Sequence, residues 1–317
     1  MSNPSVRQPI GSLSVGNVVS AGLRLYRDHF KRYFGLALRA TLWSLLPFLL
    51  LIPLVFLLIL SQQINFSTIL LLIVLGLPLF FYSFAKYMAN SALISRLAFC
   101  ELVDKPESLR EARRHVDPKV GFFLRTYLLY FLISMGAVIG FYVAMFVLGI
   151  IFAVIVAATQ NNPFAIIIGS LILIIAFAIA LSFLIRFFTR LCMIEVPLAI
   201  EEEINATQSI GRSWILTKGY VGRIFLILTV AFLVTLPIYI IVQIAVSGIQ
   251  GILIGNNPIS TLSIEYQILL FIIGYALGLA SGVVILPFWQ TIKAVMYYDL
   301  RARREGLDLQ LRDSSPQ

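Results

Sequence analysis

Six long apolar segments constrain this chain more than any other feature of its sequence. They span roughly residues 36–60, 68–98, 121–157, 164–196, 221–248 and 265–297. A helix that crosses a bilayer needs about 20 apolar residues, and each segment meets that length. Only 12% of the residues are charged, whereas soluble domains carry about 25%. The sequence therefore predicts an all-α integral membrane protein with six transmembrane helices and excludes a water-soluble globule.

The distribution of the basic residues predicts how the helices are oriented. The connections 61–67, 158–163 and 249–263 contain no Lys or Arg, and Glu265 is the only acidic residue predicted at the outer face. Because basic residues concentrate on the cytoplasmic side, we expect both termini inside and the long third segment as one helix. All 24 basic residues fall into four blocks of six, eight, five and five, bounded by Arg7 and Arg39, Lys86 and Arg125, Arg186 and Arg223, and Lys293 and Arg312.

Self-similarity along the chain indicates three hairpin repeats, each opened by an amphipathic interfacial helix. Arg24, Arg113 and Arg212 take equivalent positions, and the returning helices end alike, with Lys86, Arg190 and Lys293 at matching depth. Repeats one and three also share prolines, Pro53 with Pro237 and Pro78 with Pro287. The alternative is that basic flanks look alike through topology alone. The whole chain, 1–317, is predicted as one domain with repeats at about 13–100, 106–200 and 204–300 and a polar tail at 301–317.

Basic and aromatic residues on the interfacial segments suit the headgroup layer of a membrane. The segment Val15 to Phe34 is the clearest case, with Leu23, Tyr26 and Phe30 at helical spacing beside arginines and lysines. The alternative is a solvated basic cap. Arg186 and Arg190 lie one turn apart and are candidates for a lipid phosphate, with interfacial anchoring as the other interpretation. The candidate contacts to lipid headgroups are Arg24, Arg113, Arg212, Arg186, Arg190, Lys86 and Lys293.

Two glycine motifs favour close helix packing. They pack helices within the chain or form a face for a second copy, and both alternatives stay open at this point. The residues are Gly136, Gly140, Gly274, Gly278 and Gly282.

The sequence predicts no catalytic, cofactor or metal site. The central parts of the apolar segments lack acids and histidines, which usually mark an enzyme or pump. Glu201 to Glu203 precede a helix near Asn205, where acids favour the positive helix end. Cys100 and Cys192 have no CxxC spacing and are expected to be reduced. The net charge of +9 is explained by topology, so we expect no nucleic acid partner.

Three stretches resemble a known bacterial family. They are Leu13 to Gly16, Arg212 to Gly219 and Tyr297 to Asp308, and together they resemble the glycerophosphoryl diester phosphodiesterase membrane domain, including stand-alone bacterial and cyanobacterial-type members without the catalytic barrel. The resemblance implies the bacterial inner (plasma) membrane, with the thylakoid as an alternative, and a link to lipid metabolism. It implies no hydrolysis by this chain, which lacks the barrel and its ligands, and no functional residue is transferred.

These features favour a non-catalytic multi-pass membrane protein that anchors, scaffolds or organises lipids at a basic cytoplasmic face. Its expected partners are anionic lipid headgroups and either another membrane protein or further copies of itself. A transporter or channel for lipids or amphiphiles is the alternative, because prolines at equivalent depths can break helices around a site. A membrane enzyme of glycerophosphodiester metabolism comes third.

Overall fold

The computed structural model describes residues 13–61, 65–160, 162–254 and 263–306. Every regular element in these ranges is a helix, and six of the helices are long and apolar enough to cross a membrane, as predicted. The ten α-helices of these ranges are α1 (Val15–Asp28), α2 (Phe30–Leu60), α3 (Phe66–Leu102), α4 (Leu109–Val116), α5 (Val120–Ala158), α6 (Pro163–Arg190), α7 (Glu195–Ile200), α8 (Ala206–Thr217), α9 (Val221–Ile254) and α10 (Ile264–Glu305).

The third apolar segment is one continuous helix, α5, of 39 residues, which confirms the prediction. It contains no proline, and it ends before Gln160, whose φ of 53° is left-handed. Helix α6 then starts with Pro163 in its first turn, where a missing N–H costs nothing. The Asn162 side chain accepts a hydrogen bond from the Phe164 N–H at 2.9 Å, so this hairpin turn is determined locally.

The interfacial segment predicted from Val15 to Phe34 is two helices rather than one. Helix α1 ends at Asp28, and α2 begins at Phe30 and continues as the first membrane-length helix. His29, at the break, has a φ of −115° and a ψ of 26°, which is not helical. The break allows α1 to pack across α9 and α10 instead of extending α2.

The fourth apolar segment ends earlier than the sequence predicts. Helix α6 stops at Arg190, and the chain turns through buried residues before α7. The end of a helix leaves carbonyl groups without partners, and serines of α8 donate to one of these and to a carbonyl just before α7. The Ser213 hydroxyl donates to the Arg190 carbonyl at 2.8 Å, and the Ser209 hydroxyl donates to the Ile194 carbonyl.

Helix α10 is the centre of the packing, because it contacts α1, α2, α3 and α9. Helix α1 approaches α10 closely at Gly22, where an added Cβ would lie 2.7 Å from the Ile292 Cδ1 atom. The Tyr26 hydroxyl donates to the Val284 carbonyl at 2.9 Å, one turn before Pro287. The first and last pairs of long helices thus form one packed body.

Helices α5 and α6 pack on each other and leave their membrane-length parts uncovered by the rest of the chain. No residue in the most apolar stretch of either helix is buried. Their contacts with other long helices involve α3 on one side and α9 on the other. The buried residues of these two helices lie near one end of the molecule, and they are Phe123, Thr126 and Thr189. At this end α5 begins and α6 and α10 finish, and we call it the basic end.

Candidate functional site

A buried carboxylate occupies the centre of the basic end. Glu195 opens α7 and is 5% exposed. Its Oε1 atom lies 2.5 Å from the Lys293 Nζ atom and 2.9 Å from the Gln290 Nε2 atom, and its Oε2 atom accepts a hydrogen bond from the Tyr127 hydroxyl. Both carboxylate oxygens are therefore satisfied, as a buried charge requires.

Two serines of α3 complete this set, which we call the Glu195 cluster: Ser91, Ser95, Tyr127, Glu195, Gln290 and Lys293. Gln290 donates to the Ser91 Oγ atom at 2.5 Å, and the Ser95 hydroxyl donates to the Gln290 Oε1 atom at 2.5 Å. The cluster joins α3, α5, α7 and α10. Because its groups satisfy one another, its chemistry is that of a structural network rather than of an exposed acid or base.

Two cations close the carbonyl end of α7. The Arg96 Nη1 atom donates to the Ala199 carbonyl at 2.8 Å, and the Lys119 Nζ atom donates to the Leu198 carbonyl at 3.2 Å. Positive charge at this end of a helix is favourable. Arg96 also binds both carboxylate oxygens of Glu107, at 2.8 and 2.6 Å. Burial raises the pKa of Glu107, but the hydrogen bonds and charge of Arg96 outweigh it, so the net pKa is lowered.

The residues before α1, helix α8 and the described end of α10 lie together at the basic end. Asp299 accepts a hydrogen bond from the Leu13 N–H at 3.0 Å and pairs with Arg223. The Arg212 guanidinium lies 2.9 Å from Glu201 and 2.6 Å from Glu305. A hydrogen bond therefore joins the residues before α1 to the end of α10, and an ion pair joins α8 to it.

A groove of about 680 Å³ opens between α6, α8 and the start of α9. Arg186 and Arg190 line it, and the Arg190 guanidinium carbon lies 4.3 Å from the centre of the Trp214 ring. The other lining residues are Ser182, Phe183, Ile185, Phe187, Gly219, Val221, Gly222 and Phe225. No acidic residue is among these described lining residues, so the groove combines positive charge with an apolar wall.

The predicted headgroup residues occupy different environments. Arg24 is exposed, and Lys86 lies 5.9 Å from the Tyr82 ring centre. The Arg113 Nε and Nη2 atoms are buried and have no hydrogen-bond partner among the described residues. Arg212 and Lys293 instead pair with carboxylates of the chain, so the structure gives a headgroup role no support at these two. Arg186 and Arg190 come together in the groove.

The predicted packing glycines make few close approaches. A Cβ atom at Gly136, Gly140, Gly278 or Gly282 would meet nothing within 4 Å, and one at Gly274 would lie 3.8 Å from the Val246 Cγ1 atom. Only Gly274 thus borders another helix of the chain, α9. A face for a second copy at the other glycines stays a prediction.

The central carboxylate of the basic end was missed by the sequence interpretation. Glu195 is a single acid at the end of the fourth apolar segment, and an acid within an apolar run is itself a signal of a buried partner. The Glu201 to Glu203 run also behaves differently from expectation. Asn205 caps α8 together with Gln208, while Glu201 pairs with Arg212. Within the described ranges, no three His, Cys, Asp or Glu side chains are grouped to hold a metal ion.

Comparison with protein-family models, with curated proteins and with solved structures gives no match to this chain.

Proposed function

We propose that this chain is a non-catalytic membrane module that organises anionic lipids, and through them partners, at a basic cytoplasmic face. The observation that carries the proposal is that the acidic residues inside the basic end are paired with basic ones, while other basic residues are exposed and form no ion pair within the described ranges. Glu195, Glu107 and Asp299 pair with basic residues inside the basic end, whereas Arg24, Lys31 and Arg125 are exposed at its rim. Those three form no ion pair with a described residue.

The rim is suited to lipid headgroups because each Lys or Arg near an anionic membrane surface contributes about 1 kcal/mol of attraction. The Glu195 cluster and the capped α7 hold the helices in place beneath that rim. A fully satisfied interior network specifies structure rather than turnover. This arrangement fits a scaffold better than an enzyme.

The proposal includes three units of one short helix followed by a hairpin, with both termini in the cytoplasm of a bacterium. Its support is the element order, in which α1, α4 and α8 each precede a pair of membrane-length helices. Pro53, Pro78, Pro237 and Pro287 lie inside the long helices of the first and third units. The proposal has all six membrane-length helices cross the bilayer, an even number, which agrees with both termini on one side.

The test is the lipid composition around the protein. Full-length protein is extracted from its own membrane into polymer nanodiscs, and the lipids are compared with the bulk membrane by mass spectrometry. We expect anionic lipids to be enriched about twofold or more. The variant Arg24→Gln/Lys31→Gln/Arg125→Gln, which spares the groove, should lose part of that enrichment. A wild-type disc with the bulk composition would contradict the proposal.

A lipid transporter is a second candidate, and the groove between α6 and α9 is the observation that favours it. The test uses purified protein in liposomes that contain a fluorescent lipid, with a membrane-impermeant quencher added outside. A transporter would move the fluorescent lipid from the inner to the outer leaflet, where the quencher reaches it. Unchanged protection of that lipid would reject transport and leave the scaffold proposal in place.

A further inference from the structure

The groove at α6, α8 and α9 holds two guanidinium groups without a carboxylate. Arg186 and Arg190 lie four residues apart, so their side chains share one face of α6. Neither forms an ion pair with a described residue, in contrast to Arg96, Arg212 and Arg223, which all do. Two uncompensated positive charges beside an apolar wall attract an anionic ligand.

One of these guanidinium groups is held in place by aromatic side chains. The Arg190 guanidinium lies over Trp214 at 4.3 Å, and the Trp214 ring packs edge-on against Phe187 at 6.0 Å. Stacking of this kind stabilises arginine while leaving its N–H groups available to a ligand. A planar, oriented guanidinium is suited to binding phosphate oxygens through two hydrogen bonds.

The start of α9 forms the opposite wall of the site. Gly219 has a φ of +85°, which allows the chain to turn from α8 into α9. Val221 and Gly222, the first residues of α9, line the groove, and a Cβ atom at Gly222 would meet nothing within 4 Å. The positive end of the α9 dipole therefore adds to the charge of the two arginines.

An apolar groove adjoins the first one. This second groove of about 540 Å³ lies between α6 and α9, and it shares Ile185 and Phe225 with the first. Its wall includes Leu181, Leu228 and Phe232. Along α9 it extends from Phe225 to Phe232, farther from the start of that helix than the groove with the two arginines, which reaches only Phe225. This polarity matches that of a phospholipid.

We propose that the groove binds one anionic phospholipid of the cytoplasmic leaflet. Its phosphate lies between Arg186 and Arg190, its glycerol backbone lies near the start of α9, and an acyl chain passes Ile185 and Phe225 into the apolar groove. The proposal rests on the proposed function, since it requires this end to face an anionic leaflet, and it specifies one ligand site where that function needs only a basic rim.

Trp214 provides a direct readout because it lines the groove. In the variant Trp43→Phe/Trp289→Phe it is the single tryptophan of the chain. This protein is placed in nanodiscs of phosphatidylcholine that contain a small fraction of lipid with brominated acyl chains, which quench tryptophan on contact. Brominated phosphatidylglycerol should quench Trp214 more strongly than brominated phosphatidylcholine at equal fraction. Equal quenching by the two lipids would overturn the proposal.

Two groove variants and two matched controls separate the site from general charge. Arg186→Gln should weaken the apparent association of phosphatidylglycerol about fivefold, and Gly222→Leu should fill the open space beside α9 and reduce quenching by both lipids. Arg110→Gln, at an exposed basic residue, and Gly248→Leu both lie outside the groove and should leave the preference unchanged. If Arg186→Gln behaved like Arg110→Gln, the phosphate site would be disproved.

Two further results keep the source of the ligand and the two proposals distinct. Inorganic phosphate in the bulk solution should leave the quenching unchanged, and reversal by phosphate would assign the site to a soluble anion and overturn the lipid proposal. Anionic lipid enriched in native nanodiscs without selective quenching of Trp214 would reject the groove site alone. A loss of both would also contradict the proposed function.

Discussion

At the scale of residues, the Glu195–Lys293 ion pair connects α7 to α10 inside the basic end. Both side chains are largely buried, at 6% and 20% exposure, so each charge depends on the other and on the neutral groups around it. Breaking a buried pair leaves one charge uncompensated, which costs far more than the pair itself contributes. The pair thus makes the position of α7 conditional on that of α10.

Glu195→Gln should lower the free energy of unfolding by roughly 3–5 kcal/mol, because the Lys293 ammonium remains buried without its carboxylate. The measurement is the thermal transition of the purified protein in detergent, in which size-exclusion chromatography determines how much folded protein remains after heating to each temperature. Glu202→Gln, at an exposed carboxylate, is the matched control and should change little. The double variant Glu195→Gln/Lys293→Met should recover part of the loss, and a double variant as unstable as the sum of both single variants would argue against coupling.

Glu107 gives the molecule a predictable response to acid. Its pKa is lowered in the folded protein, where Arg96 binds the carboxylate, so the folded state binds this proton less readily than the unfolded state. The stability that it contributes is fully present above the unfolded pKa of about 4.3 and is lost as the pH falls toward the lower folded value. The difference in melting temperature between wild type and Glu107→Gln should therefore be larger at pH 7 than at pH 3.5. A difference that does not change with pH would contradict this assignment.

Sequence reasoning located the basic residues but did not identify their partners. Arg96 and Lys293 lie near helix ends, where a long side chain can equally reach the interface or a carboxylate of the protein. Which of the two a side chain reaches depends on how closely the helices pack, as α10 and α7 do for Lys293 and Glu195. No local sequence pattern contains that distance. Arg186 and Arg190 were predictable because a four-residue spacing on one helix fixes their neighbourhood without any tertiary contact.

At the scale of elements, α1 is defined by its packing on α10. It buries Val18, Val19 and Gly22 and exposes Leu23 and Arg24. Hydropathy predicted the six membrane-length helices, because length and apolar composition are local properties. It did not predict the break at His29 or the turn after Arg190, because those ends are stabilised by α10 and by serines of α8.

Gly22→Leu should displace α1 from α10. A Cβ atom at this position would lie 2.7 Å from the Ile292 side chain and 3.3 Å from the Ile292 Cα atom, so the backbone itself has to move. We expect a destabilisation of about 1–3 kcal/mol and faster hydrogen exchange in α1 than in α3. Gly16→Leu, where nothing lies within 4 Å, is the control on the same helix. Unchanged exchange in α1 of the Gly22 variant would show that the contact does not hold the helix.

At the scale of the whole molecule, the three hairpins are not equivalent in their packing. Helices α2, α3, α9 and α10 form one body, while α5 and α6 join it mainly near the basic end. The predicted repeat implies like units but not which of them pack together, although α5 and α6, which the rest of the chain leaves uncovered, belong to the two most apolar candidate spans. The first and last hairpins pack together through contacts of α10 with α2 and α3. These contacts join residues far apart in the sequence, so a local pattern does not predict them.

The position of α10 at the centre of the packing has a consequence for how the protein is made. A ribosome delivers the helices in order, and α10 comes after α1, α2, α3 and α9, all of which it contacts. Until it is synthesised, Glu195 lacks Lys293, Leu13 lacks Asp299, and Gly22 has no helix to meet. The contacts of α1, α2, α3 and α9 with α10 can therefore form only after α10 enters the bilayer, whereas the α2–α3 and α5–α6 pairs can pack before it.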